Sequence, residues 1–219
     1  MKLDAVNTKQ AIEKFLTAPS DGNVQFFSTL YKGLVDCRSA TNRDMQTGKK
    51  LADKEHDSWV GALGYLALLD LIGTCLTRGG RNVTALGEGN PFVHALEVFT
   101  DLKTGEIAAL YALRCAFAHD FSLYNIHPSK PELTHYFNLL IDADAPLVRP
   151  ATTPWLGNYK HRPPECATAV GLTRIGDLVE GVYADLLRLA RHDELTIRLE
   201  GGPEELDDRY SLMKNLKQQ

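Results

Sequence analysis

Arg114 and His119, five residues apart, are the pair whose types and spacing can do chemistry. A guanidinium grips phosphate oxygens bidentately and stabilises the charge that builds on them in a transition state. An imidazole titrates near neutral pH and can take a proton from a hydroxyl. Together they suit attack of a ribose 2′-hydroxyl on its own phosphodiester, a reaction that needs no metal and would leave a 2′,3′-cyclic phosphate. Asp120, next to His119, can orient the imidazole, although a carboxylate near a helix end more often faces water. Five helical steps rise about 7.5 Å and turn about 140°, so the two side chains share no tight stripe. The reach of arginine can still bring its head to the imidazole along one helix edge. Taken alone the spacing is common, and a histidine at a helix end is often only a cap.

The position of Arg114 makes the pair stand out. Residues 107–118 read IAALYALRCAFA, apolar on every side, with Arg114 as the one charge. Such a helix is a buried central helix, and arginine is almost never buried without a partner. Residues 59–76 read WVGALGYLALLDLIGTCL, equally apolar, with Asp70 as the one charge. Asp70 is therefore the expected partner of Arg114. The alternative is a cleft in which Arg114 meets a ligand, and a carboxylate that orients an arginine facing phosphate satisfies both.

The segment LYALRCAFAHDFSLYN, residues 110–125, resembles the R-x4-H signature of the HEPN superfamily. The resemblance covers the motif helix and its flanks, with the surrounding helix order in accord, and does not extend by motif to residues 126–219. It implies a compact helical bundle, commonly a homodimer, and activity as a metal-independent endoribonuclease of the kind found in toxin–antitoxin and antiviral systems. Arg114 and His119 would take the two active-site positions, RNA would be the substrate, and an antitoxin protein a partner. No cofactor is implied. Two positions depart from the pattern. Cys115 follows the arginine where active members often carry a polar residue, and Phe121 stands where one subgroup carries a tyrosine, with Tyr124 out of register. The family also contains inactive members, so the alternative is a non-catalytic HEPN dimer that binds nucleotide, RNA or a partner protein.

The elements that must position these residues follow from periodicity. Residues 8–17 form an amphipathic helix on Ile12, Phe15 and Leu16, stopped by Pro19. Residues 23–40 form a second on Phe26, Phe27, Leu30, Leu34 and Cys37. The polar stretch with Arg43, Lys49, Lys50 and Lys54 reads as a solvated loop. Asp57 or Ser58 caps the first all-apolar helix, and Arg78-Gly79-Gly80-Arg81 stops it with glycine in the cap. Asn90-Pro91 opens a helix carrying Phe92, Val93, Leu96 and Phe99, and Thr104 starts the motif helix. Beyond Asn125 strands are expected at 135–142, 147–148 and 195–200, with an amphipathic helix over 171–192 and a helical tail after Gly201-Gly202-Pro203. The fold class is thus mainly α, a helical bundle with its core at about 8–125 and a small accessory β-sheet in the C-terminal part, all in one domain of 1–219; the resemblance implies that the bundle is HEPN-like.

The proline-rich loop from Pro150 to Pro164 holds Trp155, Tyr159, Lys160, His161 and Arg162. Tyr159, Lys160 and Arg162 are possible RNA contacts by stacking and charge, against the blander reading of a solvated loop. Four scattered cysteines, without a CxxC pair, form no zinc site and no disulfide framework. A net charge of −4 argues against a dedicated high-affinity DNA binder but allows a local basic groove. No secretion signal and no membrane span is read, so the cytoplasm is the expected location.

Overall fold

The computed structural model describes residues 2–18, 24–51, 58–142 and 144–215. About 54% of the described residues are helical, which makes the fold mainly α, as the periodicity implies. Among the described residues there are eight α-helices. The first is α1 (Lys2–Leu16), which buries Ile12, Phe15 and Leu16. Next come α2 (Thr29–Ala40) and the apolar α3 (Trp59–Cys75). Ser58 caps α3, its side chain accepting from the Gly61 N–H; Asp57, the other expected cap, lies outside the described residues, as do Pro19 and Lys54. A short α4 (Ala85–Gly89) precedes α5 (Pro91–Phe99), which opens as expected on the Asn90 side chain and a first-turn proline. The motif helix is α6 (Thr104–Asp120), and α7 (Leu172–Arg191) and α8 (Gly202–Tyr210) complete the set.

Helix α3 is the hub of a hydrophobic core that also draws on α1, α2, α5, α6 and α7. Its low polarity is explained by neighbours on several sides, and its glycines by how close those neighbours come. A Cβ added to Gly73 would sit 1.8 Å from the Pro91 carbonyl oxygen at the start of α5. Helix α7 is amphipathic, with Ile175, Val179, Leu186 and Leu189 buried along one stripe.

Two expectations fail locally. Residues 24–28 are not the first turns of a helix but strand β1 (Val24–Ser28), paired antiparallel with β8 (Ser211–Asn215). Ser28 ends the strand and caps α2, accepting from the Tyr31 N–H at 3.0 Å. Phe26 and Phe27 sit at helical spacing from Leu30 and Leu34, but a strand partner from the far end of the chain decides their conformation. The expected glycine cap of α3 also gives way. The helix passes directly into β2 (Leu76–Arg78), whose partner is β7 (Leu195–Ile197), and the fully buried Leu76 opposes Ile197.

The C-terminal part holds a four-stranded sheet in the order β3-β4-β6-β5. Its strands are β3 (Tyr124–Asn125), β4 (His135–Leu140), β5 (Val148–Arg149) and β6 (Ala167–Gly171), with β4 and β6 parallel and the other pairs antiparallel. Strand β6 has no counterpart in the sequence reading. Strand β3 follows α6 after three residues, so the sheet is anchored at the end of the motif helix.

Candidate functional site

Helix α6 is fixed at both ends. At its start the Lys103 N–H donates to the Glu106 carboxylate at 2.9 Å. At its end Phe121 adopts the left-handed conformation, φ 49°, and closes the last turn onto the Ala116 carbonyl. A bulky residue there costs about 1–2 kcal/mol. Its ring stacks on Trp59 at 5.4 Å and 10°, an aromatic contact worth about 0.5–1.5 kcal/mol. Trp59 also packs on Phe117 at 4.9 Å, joining the start of α3 to the end of α6. His119 and Asp120, on the final turn, are exposed, and no hydrogen bond between them is found among the described residues.

Arg114 and Asp70 do meet. The arginine Nε donates to Asp70 Oδ2 at 2.7 Å, with the two side chains 27% and 26% exposed. The bond runs through Nε, and among the described residues no oxygen accepts from either Nη. Burial works against the Arg114 charge, but the Asp70 carboxylate outweighs it and holds the guanidinium's pKa above its ordinary value. For Asp70 burial is the larger effect, and its carboxyl is pushed above the usual range despite Arg114. Cys115 follows Arg114 and lies one turn from Tyr111 on the same helix, and it acts electrostatically on both. Burial, then Cys115, raises the Tyr111 phenol. The group at the α3–α6 seam is therefore an arginine held by one edge, with a carboxylate, a thiol and a phenol around it.

Two other arginines show what a structural role looks like in this chain. Arg38, 3% exposed, meets Glu180 through Nε at 2.9 Å and Nη2 at 2.7 Å, and its Nη1 donates to Met45 O. Arg43, 4% exposed, reaches Asp177 and the carbonyls of Thr173 and Gly48. Arg43 was expected in a solvated loop; it is instead buried against α7, because that helix supplies the carboxylate. The Tyr65 hydroxyl donates to Glu180 at 2.8 Å and ties α3 into the same network.

The loop residues Tyr159, Lys160 and Arg162 are exposed. Tyr159 and Arg162 are gathered with residues that sequence reasoning left apart. Tyr159 lies 5.3 Å from Tyr124 and 5.6 Å from Trp155, edge-on to both. The Arg162 guanidinium lies 5.8 Å from the Tyr124 ring centre and donates to the Tyr124 hydroxyl. Only the density of aromatic residues between 124 and 159 hinted at this cluster. Two cavities among the described residues are lined by neither Arg114 nor His119. One, about 660 Å³, lies between α1 and the end of α7; the other, about 350 Å³, lies between the first turns of α6 and the four-stranded sheet, with Trp155 and His135 in its wall.

Among the described residues no group of three or more His, Cys, Asp or Glu side chains is placed to hold a metal ion, and no described helix is long and apolar enough to cross a membrane. Comparison with known proteins gives no match among family models, curated proteins or solved structures.

Proposed function

We propose that this chain is a HEPN-type, metal-independent endoribonuclease, with His119 as general acid/base and Arg114 as the group that binds phosphate and the developing phosphorane charge. The observation that carries this reading is how Arg114 is held. Asp70 takes one N–H at Nε, among the described residues no oxygen accepts from either Nη, and the Arg114 side chain as a whole is 27% exposed. A fork in that state can donate to two phosphate oxygens. By contrast, Arg38 has its guanidinium engaged by Glu180 and two backbone carbonyls. The exposed imidazole of His119 lies on the same helix, five residues on.

The working unit in this reading is a homodimer. Two copies related by a two-fold axis would bring two arginines and two histidines to one seam, adding phosphate contacts that a single pair lacks. The outward side of α3 supports it. Val60 is 63% exposed and Ala67 is exposed, with Leu63 and Leu71 half-buried between and beyond them, an apolar stripe that runs past Asp70.

The rival reading, a non-catalytic dimer, draws on the same ion pair: Arg114 held by Asp70 can be a purely structural arginine. One assay separates the two. With a pool of random-sequence oligoribonucleotides in EDTA, the enzyme should leave 2′,3′-cyclic phosphate ends. His119→Ala should lose roughly 10²–10⁴-fold in rate, the range for a general acid or base. Arg114→Lys should also be impaired, because an ammonium cannot replace the fork. Cleavage that needs added magnesium, or that proceeds equally on DNA, refutes the mechanism.

A further inference from the structure

Four aromatic rings come together beside the end of the motif helix. Tyr124 on β3 lies 6.0 Å from Tyr136 on β4, 5.5 Å from Trp155 and 5.3 Å from Tyr159. Trp155 is buried and fixed, its indole N–H directed at the carbonyls of Asn158 and His161. Tyr159 stands against this base with 55% of its surface open. Leu156 is 89% exposed and Ile126, which touches the Gly157 turn, is 46% exposed. Three of the four rings thus belong to a fixed support, and one is presented to solvent.

The loop itself carries charge of one sign, up to the exposed Glu165 that follows it. From Pro150 to Pro164 the chain carries Lys160, His161 and Arg162 and no Asp or Glu. Lys160 and Arg162 are exposed, and Arg162 lies against Tyr124. An aromatic surface beside Lys160 and Arg162, with no carboxylate between Pro150 and Pro164, is complementary to a ligand that has both π-faces and a polyanionic backbone.

We infer that Tyr159, with Tyr124 and Trp155 behind it and Lys160 and Arg162 at its sides, is a stacking platform for the unpaired bases of single-stranded nucleic acid. A duplex keeps its base faces stacked inside, so the platform selects against it. The position of the platform gives it a use. Tyr124 is five residues beyond His119, which limits their Cα separation to about 18 Å. A strand rises about 3.4 Å per stacked nucleotide, so, with the reach of the side chains added, bases held here place the backbone within about ten nucleotides of the imidazole. That use rests on the ribonuclease reading; the binding does not.

The test therefore measures binding with a strand that 2′-hydroxyl chemistry cannot cut. A labelled oligothymidylate of about twelve nucleotides, within the site sizes of single-strand binders, is titrated and followed by anisotropy. Tyr159→Ala should weaken binding roughly 5- to 100-fold, the loss expected of one stacked base, while Tyr159→Phe keeps it. Leu156→Glu, at a position too exposed to disturb the fold, should weaken it by repelling phosphate. Arg162→Ala should weaken it and reduce the salt dependence by about one phosphate contact. Tight binding of the oligothymidylate without RNA cleavage upholds the platform and refutes the ribonuclease. The platform is overturned if a matched duplex binds as tightly as the single strand, if inorganic polyphosphate displaces the strand equally well, if Tyr159→Ala binds like the unmutated protein, or if the patch takes a proline-rich peptide and no oligonucleotide.

Discussion

Removing the Asp70 carboxylate tests the centre of the site. Asp70→Ala takes away the acceptor of the Arg114 Nε–H, a bond of 2.7 Å between side chains each about a quarter exposed. Breaking a fully buried ion pair costs roughly 3–5 kcal/mol. Here Arg114 can recover water, so the loss should be that of one charge-assisted hydrogen bond, about 1.5–3 kcal/mol. For a chain of this size that lowers the melting temperature by about 3–12 °C. Asp70→Asn should cost under about 1 kcal/mol, because the amide oxygen still accepts from Nε. The direction of the Asp70 pKa agrees: burial pushes it up, so ionisation itself brings the folded state little benefit. Urea unfolding of Asp70→Ala, Arg114→Ala and the double variant closes a cycle, whose coupling should be about 1–2 kcal/mol, beyond the 0.3–0.5 kcal/mol scatter of independent sites. If Asp70→Ala unfolds with the wild-type protein, or the two single effects add, the carboxylate is not what holds Arg114.

His94 is 5% exposed with neither ring nitrogen bonded among the described residues, and burial, aided by Arg198, pushes its pKa down to about 4. The unfolded chain therefore takes up the proton first: stability is full above pH 6.5 and falls by about 3 kcal/mol as the pH drops to 4, a loss that His94→Leu should not show in urea titrations at matched pH. Glu180→Ala strands Arg38 and the Tyr65 hydroxyl and should cost roughly 3–5 kcal/mol, well beyond Asp70→Ala in the same titrations. Val60→Glu places a charge on the apolar stripe of α3; light scattering at micromolar concentration should report twice the chain mass for the wild type and one mass for the variant, and a dimer that survives the substitution moves the interface elsewhere.

The sequence carried the α3–α6 seam plainly, because two lone opposite charges in apolar helices have few ways to be satisfied, and Asp70 does meet Arg114. The caps at Ser58 and Asn90 were equally legible, since capping is settled within four residues. What could not be read depends on partners distant in the chain. Phe26 and Phe27 fit a helix until β8 is known, and Arg43 fits a solvated loop until Asp177 and Thr173 of α7 are placed beside it. Tyr124 looked like a tyrosine out of register with a family pattern. Only the sheet, by setting β3 beside β4 and the 154–162 loop beside both, makes it part of an aromatic cluster.

The pairing of β1 with β8 also sets a timetable. Val24 opposes Asn215, so the strand nearest the start of the fold is completed by the last strand described. Helices form in about a microsecond once their residues are free, but at about 5–20 residues per second a ribosome needs on the order of 10–40 s to make the stretch between these partners. Throughout that time the segment VQFF has unpaired backbone groups beside two phenylalanines, an edge open to other chains. The nascent protein thus keeps this edge unpaired while most of its helices can already exist, and a chaperone that covers the segment until synthesis reaches Asn215 would shield it.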